Sequence, residues 1–191
     1  MSDTDLGEDC NVNVGIVAAT REWVAQVVVG LNLCPFARRE LEGERIRYAV
    51  SEACEPADVL AALHAELMFL LDHPEIETTL LIHPRALNQF EAYNGFLDIC
   101  DGLLATLDLE GVFQIASFHP EYCFAGCSAD SAENYSNRSP FPMLHLLREA
   151  SVSRAVDAHP DARGIPDTNI EKLRQLGEPS LRAILAQCSG H

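Results

Sequence analysis

Two histidines each follow a short apolar run and precede a proline. His83 ends the stretch Thr78 to His83, TTLLIH, and His119 follows the stretch Val112 to Phe118, VFQIASF. Imidazole changes charge near neutral pH, and its nitrogen atoms also bind divalent metal ions. At one edge of a sheet, His83 and His119 would form a general acid/base pair or bind a divalent metal together. The alternative is that each ring only bonds a nearby carbonyl before its proline turn.

Cys34 is the thiol whose position is most suggestive of chemistry. It lies where an apolar helix meets Pro35, and Arg38 and Arg39 follow. Cationic side chains lower the pKa of a thiol, whereas a helix C-terminus raises it, so both outcomes stay open. Cys34 is therefore a candidate nucleophile or third metal ligand, or else an inert thiol. Asn32, just before it, is a candidate ligand-binding side chain.

The stretch from Phe118 to Pro142 concentrates polar side chains in a segment without apolar periodicity. Near its end, Asn137 and Arg138 precede a predicted helix, so a guanidinium and free backbone N–H groups would converge on a carboxylate or phosphate. Arg138 would then anchor a substrate anion. The alternative is an ordinary helix cap with Arg138 in solvent or in an ion pair. His145, inside that helix, is a candidate ligand contact or a packing residue.

Four further side chains lie beside these candidates. Arg85 follows His83 and Tyr122 follows His119, and both are candidate ligand contacts. Cys123 and Cys127 are separated by a spacing that fits no zinc ribbon, so we assign them no metal role.

Apolar periodicity predicts the elements that position these residues. The predicted order is a helix from Val14 to Leu33, a strand over Ile46, Tyr48 and Val50, a helix between Pro56 and Pro74, a strand at Thr78 to His83, a helix from Phe90 to near Gly111, a strand at Val112 to Phe118, a helix from about Phe141 to Ala158, and C-terminal helices near Thr168 and Pro179. This order indicates an α/β fold with a small, mainly parallel sheet of three or four strands, helices packed on it and a helical C-terminal region. If the two histidine-bearing strands are neighbours, they lie roughly 5 Å apart.

Composition limits the class of protein and its partners. The 191 residues, 48% of them hydrophobic, predict one domain over 14–191 after a flexible tail at 1–13. A net charge of −16 excludes nucleic acid and anionic membranes as expected partners, although local arginines would still allow a small-molecule anion. Seven cysteines without regular spacing and no signal or membrane-spanning run predict a soluble, cytoplasmic protein with reduced thiols.

Three stretches resemble a known family. They are Gly30 to Ala37 (GLNLCPFA), Ser117 to Pro120 (SFHP) with Phe124 to Gly126 (FAG), and Asn134 to Glu149 (NYSNRSPFPMLHLLRE). Together they resemble a bacterial family catalogued as domain of unknown function 1415, over nearly the whole chain. The resemblance implies an intact domain in which these motifs recur, and it implies no activity. Members usually carry other residues at Cys123 and Cys127, so it implies no shared role for those thiols.

The sequence contains no nucleotide-binding, hydrolase-elbow or metalloprotease motif. The leading hypothesis is an enzyme whose site lies at the carboxyl rim of the sheet. It would carry out metal-assisted or His/Cys-dependent hydrolysis or group transfer on a small anionic substrate. The alternatives are a non-catalytic module that binds a metal or metabolite at that rim, and a protein-interaction domain.

Overall fold

The structure, a computed structural model, describes residues 3–189. They form seven α-helices, a π-helix and a four-stranded sheet, which confirms the α/β class. The helices are α1 Asp3–Trp23, the π-helix Val24–Val29, α2 Ala37–Glu42, α3 Pro56–Asp72, α4 Phe90–Thr106, the short 3-10 helix Ala132–Ser136, α5 Glu149–Ala158, α6 Ile165–Leu176 and α7 Glu178–Cys188. The strands are β1 Ile46–Val50, β2 Thr78–Ile82, β3 Phe113–Phe118 and β4 Met143–Arg148.

The sheet is mixed rather than mainly parallel. Its strand order is β1-β2-β4-β3, with β1 parallel to β2 and β4 antiparallel to both β2 and β3. The prediction of a mainly parallel sheet is therefore wrong. The strands β2 and β3 do run in the same direction, but β4 lies between them, so the predicted adjacency of the two histidine-bearing strands is also wrong.

The strand β4 occupies residues that the sequence predicted as the first half of a helix, Phe141 to Ala158. Only the second half of that segment, α5, is helical. Met143 and Leu144 are both fully buried on opposite faces of the sheet, so the strand shows no alternation of polar and apolar residues. A short run of this kind has no periodicity that distinguishes a buried strand from a helix. Pro142, which fits a helix start, also favours extended backbone before it.

The first face of the sheet, which we call the α3/α4 face, is covered by those two helices. Their apolar stripes pack on alternate residues of β2 and β4; the fully buried side chains here include Val59, Leu63, Leu67, Leu70, Tyr93, Cys100, Leu144 and Leu146. The hydroxyl of Tyr93 accepts a hydrogen bond from Phe118 N (3.0 Å) and donates one to Met143 O (2.8 Å). These bonds join α4 to β3 and β4.

The second face, which we call the π-helix face, is covered by α1, the π-helix, α6 and α7. Trp23 at the end of α1 is only 1% exposed, and its indole Nε1 donates to Arg138 O at 3.0 Å. Leu173 of α6 and Leu181 of α7 complete this core. The two terminal regions of the chain therefore meet on one side of the sheet.

The first helix differs from its predicted limits of Val14 to Leu33. It begins at Asp3, so residues 3–13 of the predicted tail belong to α1; residues 1, 2, 190 and 191 lie outside the described part of the chain. After Trp23 the hydrogen bonds widen, and Gly30 N bonds Ala25 O at 2.9 Å. A Cβ atom at Gly30 would lie 2.2 Å from the Gln26 carbonyl oxygen, so the turn requires glycine.

One helical window in the described residues, Val12–Val29, is long and apolar enough to cross a membrane, whereas no such run was expected. A core helix of a soluble protein can have the same length and composition. Here Trp23, Val24 and Val27 point into the π-helix face and are buried.

Candidate functional site

The two predicted histidines lie at the same rim of the sheet. His83 follows β2 and His119 follows β3, and both are fully buried. The ring of Tyr93 connects them, with centroid distances of 5.9 Å to His83 and 5.0 Å to His119. Tyr122 joins this aromatic group through Phe90, at 5.1 Å between ring centroids.

Both imidazoles are held by local backbone groups. His119 Nδ1 accepts from Glu121 N at 3.0 Å, so Nε2 donates to Leu87 O at 3.1 Å. His83 Nδ1 lies 3.0 Å from Ala86 O, which leaves Nε2 as a buried acceptor without a hydrogen-bond partner among the described residues. Burial lowers the pKa of His119, and it lowers that of His83 to about 4, with the nearby His119 adding to the shift. Both rings are neutral at physiological pH.

The rim does not assemble the predicted set of three metal ligands. His83 and His119 contact Tyr93 of the α3/α4 face, whereas Cys34 lies on the π-helix face. Within the part of the chain that the structure describes, no three His, Cys, Asp or Glu side chains lie together as a metal site.

Arg138 and Asn137 are used to order the loop before β4. The Arg138 guanidinium donates to Tyr122 O (3.2 Å) and Ala129 O (2.6 Å) and lies 4.7 Å from the ring centroid of Tyr135. Asn137 Nδ2 donates to Ser117 O at 3.0 Å. Because β4 follows this loop, the helix N-terminus expected to bind an anion does not form, and that prediction is corrected.

The remaining sequence candidates lie apart from one another. Arg85 is half exposed and pairs with Glu52 at 3.0 Å. Asn32 lies in the turn after the π-helix, exposed and with a φ of +51°. The thiol of Cys123 donates to Cys127 O at 3.5 Å, and the two thiols are not joined as a disulfide.

The turn that carries Cys34 is fixed from both ends of the sequence. Leu33 N bonds Val28 O at 2.9 Å and so continues the wide π-helical pattern. From α6, Asn169 Nδ2 donates to Leu33 O (2.7 Å) and Lys172 Nζ donates to Leu31 O (2.6 Å). These donors satisfy carbonyls that the end of a helix leaves unpaired. Nothing in the local sequence pattern pointed to the two α6 side chains.

Burial raises the pKa of the Cys34 thiol, and hydrogen bonds from the backbone of Phe36 and Ala37 only partly oppose this effect. The thiol is therefore protonated at neutral pH. A reactive thiolate needs the opposite shift.

Two cavities meet at Cys34 on the π-helix face. The larger is an open cleft of about 550 Å³, whose polar side chains include Asn137, Asn169 and Arg174. The smaller, of about 310 Å³, lies between the sheet and the π-helix, α2 and α5. Val28, Cys34 and Phe118 border both.

His145 lies midway along the smaller cavity, which we call the His145 cavity. In the sheet it pairs with Leu80 of β2 and Ala116 of β3, and both of these residues also border the cavity. The ring lies 5.9 Å from that of Phe118, and its nitrogen atoms make no hydrogen bond within the described residues. Burial alone lowers the pKa of His145 to about 4. The result is a neutral imidazole with an unused donor and acceptor in an apolar space.

The fold is thus a mixed α/β sheet with an open cleft and a smaller cavity on one face. A family model described as a protein of unknown function, DUF1415, matches residues 15–183, and the chain belongs to that family. No curated protein and no solved structure matched the chain.

Proposed function

We propose that this protein binds a small, mainly apolar molecule in the His145 cavity. The observation that carries the proposal is the ring of His145, which lies among mainly apolar side chains of the cavity and makes no hydrogen bond within the described residues. Its two ring nitrogens therefore offer one donor and one acceptor to a ligand. The apolar walls would favour the rest of the molecule.

The size of the space limits the ligand. At about 30 Å³ for each water-sized group, a volume of about 310 Å³ accommodates roughly ten such groups. A chain of eight carbon atoms or a bicyclic aromatic compound is of this size.

The chemistry favours binding over catalysis at this location. In a thiolate–imidazolium pair each charge stabilises the other, so the thiol pKa falls and the imidazole pKa rises. Cys34 and His145 shift in the opposite directions. Both groups are neutral, which suits a recognition site.

The three stretches that carry the family resemblance also support this location. Cys34 comes from the first, Phe118 from the second and His145 from the third, and all three border the His145 cavity. Residues that are far apart in the chain are thus brought to one space.

The test is a titration of the full chain with 1-octanol, followed by the fluorescence of Trp23, which is the only tryptophan and borders the cavity. We expect a saturable change in emission. Ala155→Leu on α5 fills the cavity and should abolish it, whereas Ala158→Leu, exposed on the same helix, should not. No saturable change in the unmodified protein, or equal effects of the two variants, would overturn the proposal.

The second candidate is the enzyme considered from the sequence, with His83 as an acid/base group or metal ligand at the carboxyl rim and a small anion as substrate. It is favoured by the buried, unpartnered His83 Nε2. Elemental analysis of protein purified without chelators tests its metal-assisted form. That form predicts a stoichiometric divalent metal, lost in His83→Ala and retained in His64→Ala, since His64 is exposed on α3.

A further inference from the structure

The His145 cavity is elongated along the strands. Its lining on β3 extends from Phe118 at the carboxyl rim to Gln114, a distance of roughly 13 Å at the usual rise per residue. His145 pairs with Ala116 and so lies between these ends. Cys34 borders the Phe118 end, because it also borders the cleft there.

The opposite end is polar and contains an unused acceptor. Thr78 begins β2 at this end, and Glu77 precedes it and borders the cavity. Glu77 Oε1 is buried and accepts no hydrogen bond within the described residues. An acceptor in this situation is complemented by an N–H or O–H donor.

The two arginines near Glu77 leave its Oε1 atom without a hydrogen bond. Arg45 NH1 lies 3.9 Å from the other oxygen, Oε2, which is beyond hydrogen-bond distance, and Arg45 also pairs with Glu40. Arg148 borders the same end, but its guanidinium donates to the carbonyl oxygens of Leu70, His73 and Ile76. Neither arginine makes a hydrogen bond to Glu77 Oε1.

Resting on the proposed function, we infer that the ligand is an elongated apolar amine, with its amino group at Glu77 and its chain extending past His145 toward Cys34. An ammonium group supplies the missing donor, and hydrogen bonds between charged groups are roughly twice as strong as neutral ones. A carboxylate offers no donor to Glu77, and the guanidinium of Arg148 at this end already donates to backbone carbonyl oxygens. The net charge of −16 also attracts cations to the protein.

The test compares octylamine, 1-octanol and octanoate, which share one chain length, in Trp23 fluorescence titrations of the full protein at pH 7.5 and constant ionic strength. We expect octylamine to bind at least about tenfold more tightly than octanoate. In Glu77→Gln, which keeps the side-chain size, the ratio between the two should fall at least about threefold. Affinity for octanol should change less.

The outcomes separate the two proposals. If octanol binds but octanoate equals or exceeds octylamine, the amine inference fails and the binding function stands. The inference also fails if Glu77→Gln leaves the ratio unchanged. If none of the three probes gives a saturable signal, the proposed function itself fails. Thermal denaturation of Glu77→Gln shows whether the variant is folded, and Glu75→Gln, exposed before β2, is the matched control for loss of a carboxylate.

Discussion

The two faces of the sheet are built from alternating residues of the same strands, yet they are filled differently. On the α3/α4 face, Leu144 and Leu146 are fully buried beneath two long amphipathic helices. On the π-helix face, His145 and Leu147 of the same strand border a cavity of about 310 Å³. The covering elements there come from both ends of the chain and include a π-helix and a turn. Two long helices fill the first face closely, whereas the shorter helices and the π-helix on the second face leave a space against the sheet.

The largest expected effect tests whether the filled face carries the stability. Leu146→Ala should lower the free energy of unfolding by about 2 to 5 kcal/mol, since it creates a new void. Leu147→Ala should cost about 1 kcal/mol, because this side chain is half-buried and already borders open space. Urea denaturation measures both values. Equal losses at the two positions would show that the faces do not differ in packing.

The next effect tests whether the π-helix is required. Gly30→Ala should destabilise the protein by about 1 to 3 kcal/mol, because its Cβ would overlap a backbone carbonyl oxygen. Gly95→Ala is the control, since Gly95 lies in regular, exposed α4 with nothing near its Cβ position. That change should stabilise the protein by about 0.5 to 1 kcal/mol. If both changes had the same sign in urea denaturation, the strained turn would not matter to stability.

Stability should depend on pH to a comparable extent, because His83 and the half-buried His145 both have lowered pKa values. An unfolded imidazole binds its proton near the usual value of about 6.5, whereas the pKa values of His83 and His145 in the folded protein are about 4. Between these values the unfolded chain binds more protons, so stability is complete above the unfolded pKa and falls as the pH decreases. At pH 5 the loss is about 2 kcal/mol for each group.

Urea denaturation at pH 7.5 and pH 5 measures this dependence. His145→Leu should remove part of it, at most about half, because His83 and His119, whose pKa values are also lowered, contribute the rest. His64→Leu, which removes an exposed imidazole, should leave it unchanged. If the pH dependence of stability is the same in His145→Leu as in the unmodified protein, the pKa of His145 is not lowered in the folded state.

The smallest expected effect is a difference in labelling rate between two thiols, one on each face of the sheet. Burial raises the pKa of both Cys34 and Cys100, the latter to about 12. Both should therefore react more slowly with a thiol reagent at pH 8 than in the denatured chain. Cys34 borders two cavities and should react before Cys100, which is fully buried against α3. Mass spectrometry of the labelled peptides gives the order, and faster labelling of Cys100 would reverse the comparison.

Much of the filled face was predictable from the sequence. Pro56 and the leucine stripe predicted α3, and the run from Thr78 to His83 predicted β2, which ends one residue earlier, at Ile82. His83 and His119 were expected at one rim of the sheet, and they lie there because β2 and β3 run in the same direction. The elements follow from local periodicity, and the shared rim follows from the crossover connection that α4 makes between two strands of the same direction.

The cavity face was less predictable. His145 was considered a residue of a helix, and its position opposite Leu80 and Ala116 follows from β4 inserting between β2 and β3. Arg138 was expected to face a ligand, but its guanidinium bonds carbonyls of its own loop. Neither outcome is encoded by spacing along the chain, since each depends on partners that are distant in sequence or compete locally.

The sequence by itself determined the α/β class, the family, most helices and strands, and the residues that could do chemistry. The tertiary structure decided which of those residues meet. It placed Cys34 and His145 on one cavity, brought Asn169 and Lys172 to the turn that holds Cys34, and left His83 on the other side of the sheet. The physical reason is that periodicity reports which face of an element is buried, whereas strand order and the fit between distant elements decide what that face is buried against.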